Sequence, residues 1–306
     1  MKESYHTCFT SHSEVLFRND EDHRMFVNLL ALAAFRNDAE VLADAEMSTH
    51  VHLNVFTNEP VAFASTLRQS YTKWFNRRYG REGRFGEKGF YLLRIEGHYH
   101  QMVAENYILR NGLHHGVAPT AFAYPYCSVR ELFSEDLGFP TAPMGTYSKG
   151  EMAFFLPRHA EFPDEYEMDE NGMITRRSFM EIRKAEQYYV TPRNYLYQMN
   201  RLTDESWLKE QAADNCDQKP VTLADIEQAE DNAVSRMLKN ENARGFNKSI
   251  MQDLDVCKLI DGNYLGSAPS VYVMTESQRE RIFRALLYEH RLPEKQIRRC
   301  LAMPPI

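Results

Sequence analysis

Between Thr49 and Thr57 the chain alternates strictly, with Val51, Leu53 and Val55 on one side of an extended segment and His50, His52 and Asn54 on the other. A period of two is that of a β-strand, so one face seeks a core while the other carries two imidazoles one pleat apart. Both rings can then reach a single metal ion; two histidines at the rim of a sheet would give the same pattern. Further on, Tyr107 and Asn111 stand four residues apart in a helical stretch and share one of its faces. A tyrosine beside a metal-holding pair is a set of groups able to cleave a phosphodiester. The same tyrosine in an amphipathic helix also suits a plain core.

The flanking pattern predicts an ordered run of elements. Tyr5–Thr10 reads as a strand, and Asn19 or Asp20 can cap a helix carrying Met25, Phe26, Leu29, Leu30, Leu32 and Ala33 on one face and ending near Asn37. Glu40–Glu46 and His50–Thr57 read as a hairpin, and Pro60 opens a second helix reaching Tyr79. Glycines at 80, 83, 86 and 89 then mark a basic loop. Phe90–Ile95 is a fourth strand, and His98–Asn111 a third helix ended by Gly112. The first six elements, β-α-β-β-α-β, are the ferredoxin-like split pattern of the α+β class, an antiparallel sheet with helices on one face. The last helix can cross back and bring Tyr107 toward His50 and His52.

Composition narrows the function classes. The 306 residues are 43% hydrophobic and 26% charged, as in a globular protein. No stretch approaches 18 apolar residues, and no signal-peptide core opens the chain, so the expectation is a cytoplasmic protein with no membrane span. Cys8, Cys127, Cys216, Cys257 and Cys300 are widely spaced and odd in number, which reads as reduced thiols. The net charge of −7 does not mark a nucleic-acid binder, but it is unevenly spread. Residues 1–130 hold 14 Lys/Arg and 14 Asp/Glu; the remaining 176 hold 22 and 29. From Arg68 to Lys88, seven basic residues face only Glu82 and Glu87. Lys73, Arg77, Arg78, Arg81 and Arg84 there offer phosphate contacts, and Trp74, Phe75 and Tyr79 offer stacking surfaces for single-stranded bases. An amphipathic helix with its aromatics in the core is the competing explanation.

Beyond residue 130 the texture changes to prolines and short helices. Asp169-Glu170-Asn171-Gly172 is a turn signal within Glu165–Ile174. Thr222-Leu223-Ala224-Asp225 opens a helix to Ala243, and Thr275-Glu276-Ser277-Gln278 caps another to His290. Leu292-Pro293 separates that helix from Glu294–Leu301, which bears Lys295, Arg298 and Arg299. The pair reads either as a helix-turn-helix or as ordinary helix packing. The expected division is a catalytic domain at 1–130 and a mostly helical accessory region at 131–306 that supplies target specificity or assembly.

Several motifs in order carry a family resemblance. They are Tyr5-His6-Thr7, Leu16 to Asp22, Met47 to Leu53, Tyr71 to Gly80 with Gly83, and Tyr107-Ile108 followed by Asn111. Residues from about 5 to 130 thereby resemble the IS200-like single-tyrosine transposases of the HUH superfamily, and within them the REP-associated tyrosine transposases. The resemblance implies that His50, His52 and Asn111 bind a divalent metal, Mg²⁺ or Mn²⁺, and that Tyr107 is the nucleophile forming a 5′-phosphotyrosine. Two departures stand out: Gly112 follows Asn111 where the family has proline, and Asn54 interrupts an otherwise apolar strand. The function implied is a transposase-type enzyme that nicks and rejoins single-stranded, hairpin-bearing DNA as a monomer or homodimer. The alternative is a DNA-binding regulator that keeps the fold without cleavage. His98, His100, His114 and His115 read as surface or DNA-contacting residues.

Overall fold

The computed structural model describes residues 2–11, 14–86, 91–200 and 251–305. Strands β1 (Glu3–Thr10), β2 (Glu40–Glu46), β3 (His50–Thr57) and β4 (Tyr91–Ile95) form one antiparallel sheet in the order β2-β3-β1-β4. Helix α1 (Asp20–Arg36) follows β1, α2 (Pro60–Tyr79) follows β3, and α3 (His98–Leu109) follows β4. The Asn19 side chain accepts from the Glu21 and Asp22 backbone N–H groups, while Asp22 returns a bond to the cap. This box fixes where α1 begins. Gly80, in the left-handed region at φ 63°, closes α2.

The alternation in β3 sorts the layers. Val51, Leu53 and Val55 join Phe9 and Val41 in a cluster with α1 and α2, including Phe26, Leu30, Phe63 and Tyr71. On the other face α3 packs on β2 and β3, and Val103, Tyr107 and Ile108 meet Leu42, Ala43 and Ala45. Helices therefore cover both faces. The expected third helix is divided: α3 stops at Leu109, and a separate turn, α4 (Asn111–His114), follows Arg110. Gly112 is not a terminator. A Cβ there would lie 2.5 Å from Tyr124, whose hydroxyl donates to the Glu46 carbonyl at 2.6 Å, so glycine admits that close approach.

Short helices follow: α5 (Ser134–Leu137), α6 (Lys149–Phe155), α7 (Arg176–Phe179), α8 (Ile182–Tyr189) and α9 (Pro192–Met199). The expected turn at 169–172 is present, with Gly172 at φ 77°, but only the single bridge Met168–Ile174 flanks it rather than a hairpin of strands. Met168, Ile174, Phe179 and Met180 complete the first cluster, and Ala185, Tyr189, Tyr195 and Met199 the second. The boundary expected at residue 130 thus runs through two shared cores. The helix expected from Thr222 to Ala243 lies outside the described residues.

A third cluster joins α10 (Asp253–Asn263), α11 (Glu276–Tyr288) and α12 (Glu294–Cys300) around Val256, Ile260, Leu286 and Ile297, with Val15 inserted from the N-terminal part. Thr275 caps α11 as expected. Arg18, fully buried, ties the units: its guanidinium meets Asp261 at 2.6 Å and donates to the Cys300 carbonyl at 2.8 Å. Cys8, Cys127, Cys257 and Cys300 are free and buried. Among the described residues no helix is long and apolar enough to cross a membrane.

Asp44 and Glu46 are buried on β2, and one guanidinium from α7 serves both. Arg176 makes paired bonds to Asp44 at 2.8–3.1 Å and reaches Glu46 at 2.9 Å. Burial pushes the Glu46 carboxyl well above its usual range, against the pull of Arg176. Replacing Arg176 with methionine strands two buried carboxylates, for an expected loss of about 3–5 kcal/mol in chemical denaturation. A loss below about 1 kcal/mol would mean that this contact does not tie the later residues to the sheet.

Candidate functional site

Register builds the site. Opposed residues on neighbouring antiparallel strands point to the same face, and β1 and β3 pair Thr10 with His50, Cys8 with His52 and His6 with Asn54. The α3-covered face of the two central strands therefore presents His6, His50, His52 and Asn54, each at most 1% exposed. The His50 and His52 rings lie 5.0 Å apart at 78°, and Tyr107 on α3 stands edge-on to His52 at 5.2 Å. The long-range contact expected from the sequence, the tyrosine of the third helix against the paired histidines, is present.

Asn111 begins α4 and is fully buried, and neither polar atom of its amide has a hydrogen-bond partner. Asn106 shares that property, but only Asn111 falls on Tyr107's side of the helical path. The turn it starts carries His115 to 5.1 Å from His50 and His114 to 5.7 Å from Tyr107. These two half-buried histidines stand beside His50 and Tyr107 rather than on the open surface, and the DNA-contacting half of the expectation about them is left as it was. Their spacing from Asn111, three and four residues, was the available signal. His100 is buried and bonds the Glu96 carbonyl at 2.8 Å, while exposed His98 lies against Tyr188 at 5.1 Å.

Polar groups from two layers brace this face. Gln101, one and a half turns before Tyr107, donates to Asn54 Oδ1 and to Glu105 Oε1 at 3.0 Å, and accepts from Ser4 Oγ at 2.5 Å. Asn54 donates in turn to Ser4 Oγ at 3.2 Å. The residue that interrupts the apolar pattern of β3 is thus the hub that fixes α3 on β1 and β3. His6 Nε2 lies 3.0 Å from His52 Nδ1, and His50 Nδ1 lies 3.2 Å from Thr49 Oγ1. Among the described residues no three His, Cys, Asp or Glu side chains gather to hold a metal. An ion at His50 and His52 would need a donor of another kind, and the unsatisfied buried amide of Asn111 fits.

The basic segment divides. Lys73, Arg77 and Arg84 are exposed. Arg78 is engaged by Glu21 and Arg81 by Glu14. Trp74 is half-buried, stacked on Tyr71 at 5.8 Å and beneath Arg78 at 5.4 Å. Phe75 and Tyr79 belong to the core, because the helix face that packs on β1 carries them. Arg84 belongs to the loop that follows α2. Two residues on, Gly86 (φ 67°) crosses β1 so closely that a Cβ would lie 2.3 Å from the carbonyl of Thr10, the partner of His50. On the C-terminal pair, Arg299 is buried against Asp253 at 2.6 Å and Arg298 is bonded to Glu294 at 3.0 Å.

No family model matches the chain, and no curated protein does. Among solved structures it is similar to one described as "Structure of the REP associates tyrosine transposase bound to a REP hairpin", with 12% identity and a TM-score of 0.38, over 48% of this chain and 91% of that one. The likeness is one of distant fold only.

Glu105 offers a check on how closed this interior is. Burial pushes its carboxyl well above the ordinary range, with the hydrogen bond from Gln101 pulling the other way. The folded chain keeps that proton above the unfolded value of 4.5, so Glu105's contribution is whole below 4.5 and is lost as pH rises toward the folded value. Glu105→Gln, which has no proton to lose, should therefore gain stability relative to the parent between roughly pH 5 and pH 8. Equal pH profiles for the two proteins would show that water reaches the carboxyl.

Proposed function

We propose that this protein is a metal-dependent enzyme that nicks and rejoins single-stranded, hairpin-bearing DNA through a tyrosine nucleophile, a single-tyrosine transposase on a ferredoxin-like core. The strand order and antiparallel pairing support the fold reading. One observation carries the chemistry: Tyr107 is edge-on to His52, which has His50 beside it, and the buried amide of Asn111, four residues after the tyrosine, has no hydrogen-bond partner.

In this reading His50, His52 and Asn111 would hold a divalent ion, Mn²⁺ or Mg²⁺, with the amide oxygen of Asn111 as the hard donor that such ions prefer. When bound, the ion supplies positive charge to a non-bridging oxygen of the scissile phosphate. Tyr107 Oη attacks phosphorus and loses its proton, and the P–O3′ bond breaks. The 3′ oxygen leaves with a proton, and the 5′ phosphate remains on the tyrosine. A free tyrosine titrates at about pH 10, so Tyr107 would need the positive charge that a bound ion supplies. Attack by the 3′-OH of another strand end reverses the step and releases Tyr107. Lys73, Arg77 and Arg84 supply phosphate contacts along the strand, with Trp74, Arg78 and Arg81 shaping their bed. None of the groups proposed for chemistry lies in residues 131–306, whose described part supports the site through the shared cores and Arg176.

Labelled single-stranded hairpin DNA incubated with the protein and Mn²⁺ should yield a covalent adduct on a denaturing gel. Tyr107→Phe should reduce it to background, and His50→Ala should depress cleavage while leaving DNA binding in place. An adduct that persists in Tyr107→Phe removes the tyrosine from the chemistry. Its absence from the parent over a broad panel of hairpins favours a DNA-binding regulator.

The basic segment is tested separately. Arg77→Ala and Arg84→Ala should each lower the slope of log affinity against log salt by about 0.7 for single-stranded DNA. An unchanged slope would mean that the strand passes elsewhere.

A further inference from the structure

We infer that Arg81 is a positioning residue: it holds residues 80–86 in one shape and so presents Arg84 to a phosphate of bound single-stranded DNA. The inference rests on the DNA-binding part of the reading above. It is carried by the partners of one guanidinium. Arg81 Nε donates to the Glu14 carboxylate at 2.9 and 3.1 Å, and Nη2 joins it there. Nη1 donates to Asn76 Oδ1 at 2.8 Å and to the Gly83 carbonyl at 3.1 Å, while Nη2 also reaches the Arg84 carbonyl at 3.2 Å. Asn76, in the last turn of α2, donates in turn to the Gly83 carbonyl at 2.6 Å. A planar fork of donors thus joins the helix, the chain before α1 and the loop itself, which a lysine's point charge would not do.

The loop is also anchored on the far side of Arg84. Phe85 is fully buried, edge-on to Phe75 at 4.9 Å and stacked on Tyr71 at 6.2 Å, and the Arg81 guanidinium lies over its ring at 4.1 Å. Gly83 and Gly86 take φ of 83° and 67°, a region open to glycine, so the chain turns on both sides of Arg84. The Arg81 side chain is only 10% exposed and Glu14 only 15%, so that cation is spent inside the loop, whereas Arg84 faces solvent. The charge of Arg84 reaches Arg68 on α2, whose pKa is lowered first by burial and then by Arg84. Cations held near one another favour an anion beside them, and phosphate oxygens match a guanidinium fork. A backbone already fixed adds no ordering cost when that anion binds.

The test uses the full chain and a fluorescein-labelled single strand of DNA carrying a hairpin, titrated at several NaCl concentrations. Arg81→Met keeps an aliphatic stem over Phe85 and removes every donor; Asn76→Ala loosens Gly83 and Arg81 without changing the charge. Each should lower the slope of log affinity against log salt by about 0.7, the loss of one phosphate contact, as Arg84→Ala does. Combined with Arg84→Ala, neither should lower it further, because both act through the same guanidinium. Trypsin cleavage after Arg84, followed by mass spectrometry, should quicken in Arg81→Met and in Asn76→Ala. The inference is overturned by additive losses in the double variants, by a parental slope in Asn76→Ala, or by trypsin rates equal to the parent's. A parent that binds no single-stranded DNA refutes the DNA reading instead, and the trypsin rates still decide whether Arg81 holds the loop. Should Arg81→Met not fold, Asn76→Ala and its double variant decide alone.

Discussion

Burying the polar side of a central strand is the constraint on which the rest of this structure depends. β3 runs between β1 and β2, so neither its edges nor its faces reach water, yet it carries His50, His52 and Asn54 at no more than 1% exposure. Each such group left without a partner costs about 1–3 kcal/mol. Only neighbours in register or directly overhead can answer it. β1 answers with Ser4 and His6, and α3 with Gln101, itself held by Glu105. Satisfying the strand therefore fixes α3 against it, and with α3 the position of Tyr107. The bonds that make the fold tolerable also set the geometry of the candidate site.

The opposite face meets a comparable demand differently. Asp44 and Glu46 alternate with Ala45, which faces the histidine side as the partner of His52. Those carboxylates point toward α1, where His23 reaches Glu46 at 2.7 Å from between the rings of Phe17 and Tyr126, at 4.2 and 3.6 Å. Burial holds the His23 imidazole well below its ordinary pKa, so this contact is a hydrogen bond to a neutral ring rather than an ion pair. Arg176 is then the only charge that directly balances the two acids among the described residues, and it comes from beyond residue 130. A small N-terminal domain closed in sequence is for that reason not closed electrostatically.

What was legible in the sequence was local. Strand alternation, the Asn19 cap, Pro60 at the start of α2 and the Thr275 box each depend on residues within a few positions, and each appears where the pattern puts it. The split at Arg110 was not legible, because Gly112 looks like a terminator until Tyr124 is seen against it. Nor could the aromatic run Trp74, Phe75 and Tyr79 be divided between surface and core without knowing which face of α2 meets the sheet. Gln101 was invisible for a stronger reason. Its importance lies in three partners, two of them 97 and 47 residues away, and no periodicity encodes them. His6 and Asn54 were visible as residues, the first inside a motif and the second as a departure from one. Their roles follow only from register.

The distribution of cations follows from the same economy. Arg18, Arg176 and Arg299 are each spent on buried acids or carbonyls. Arg298, on a helix of only seven residues, is bonded to Glu294. Within the C-terminal pair Arg299 is buried while Lys295 stays exposed, and Arg18 joins that bundle to the N-terminal part. Lys73, Arg77 and Arg84 keep exposed positions on α2 and its loop, and that loop crosses β1 opposite His50. With screening over about 8 Å at physiological salt, a polyanion responds to those near charges and not to the net charge of the chain.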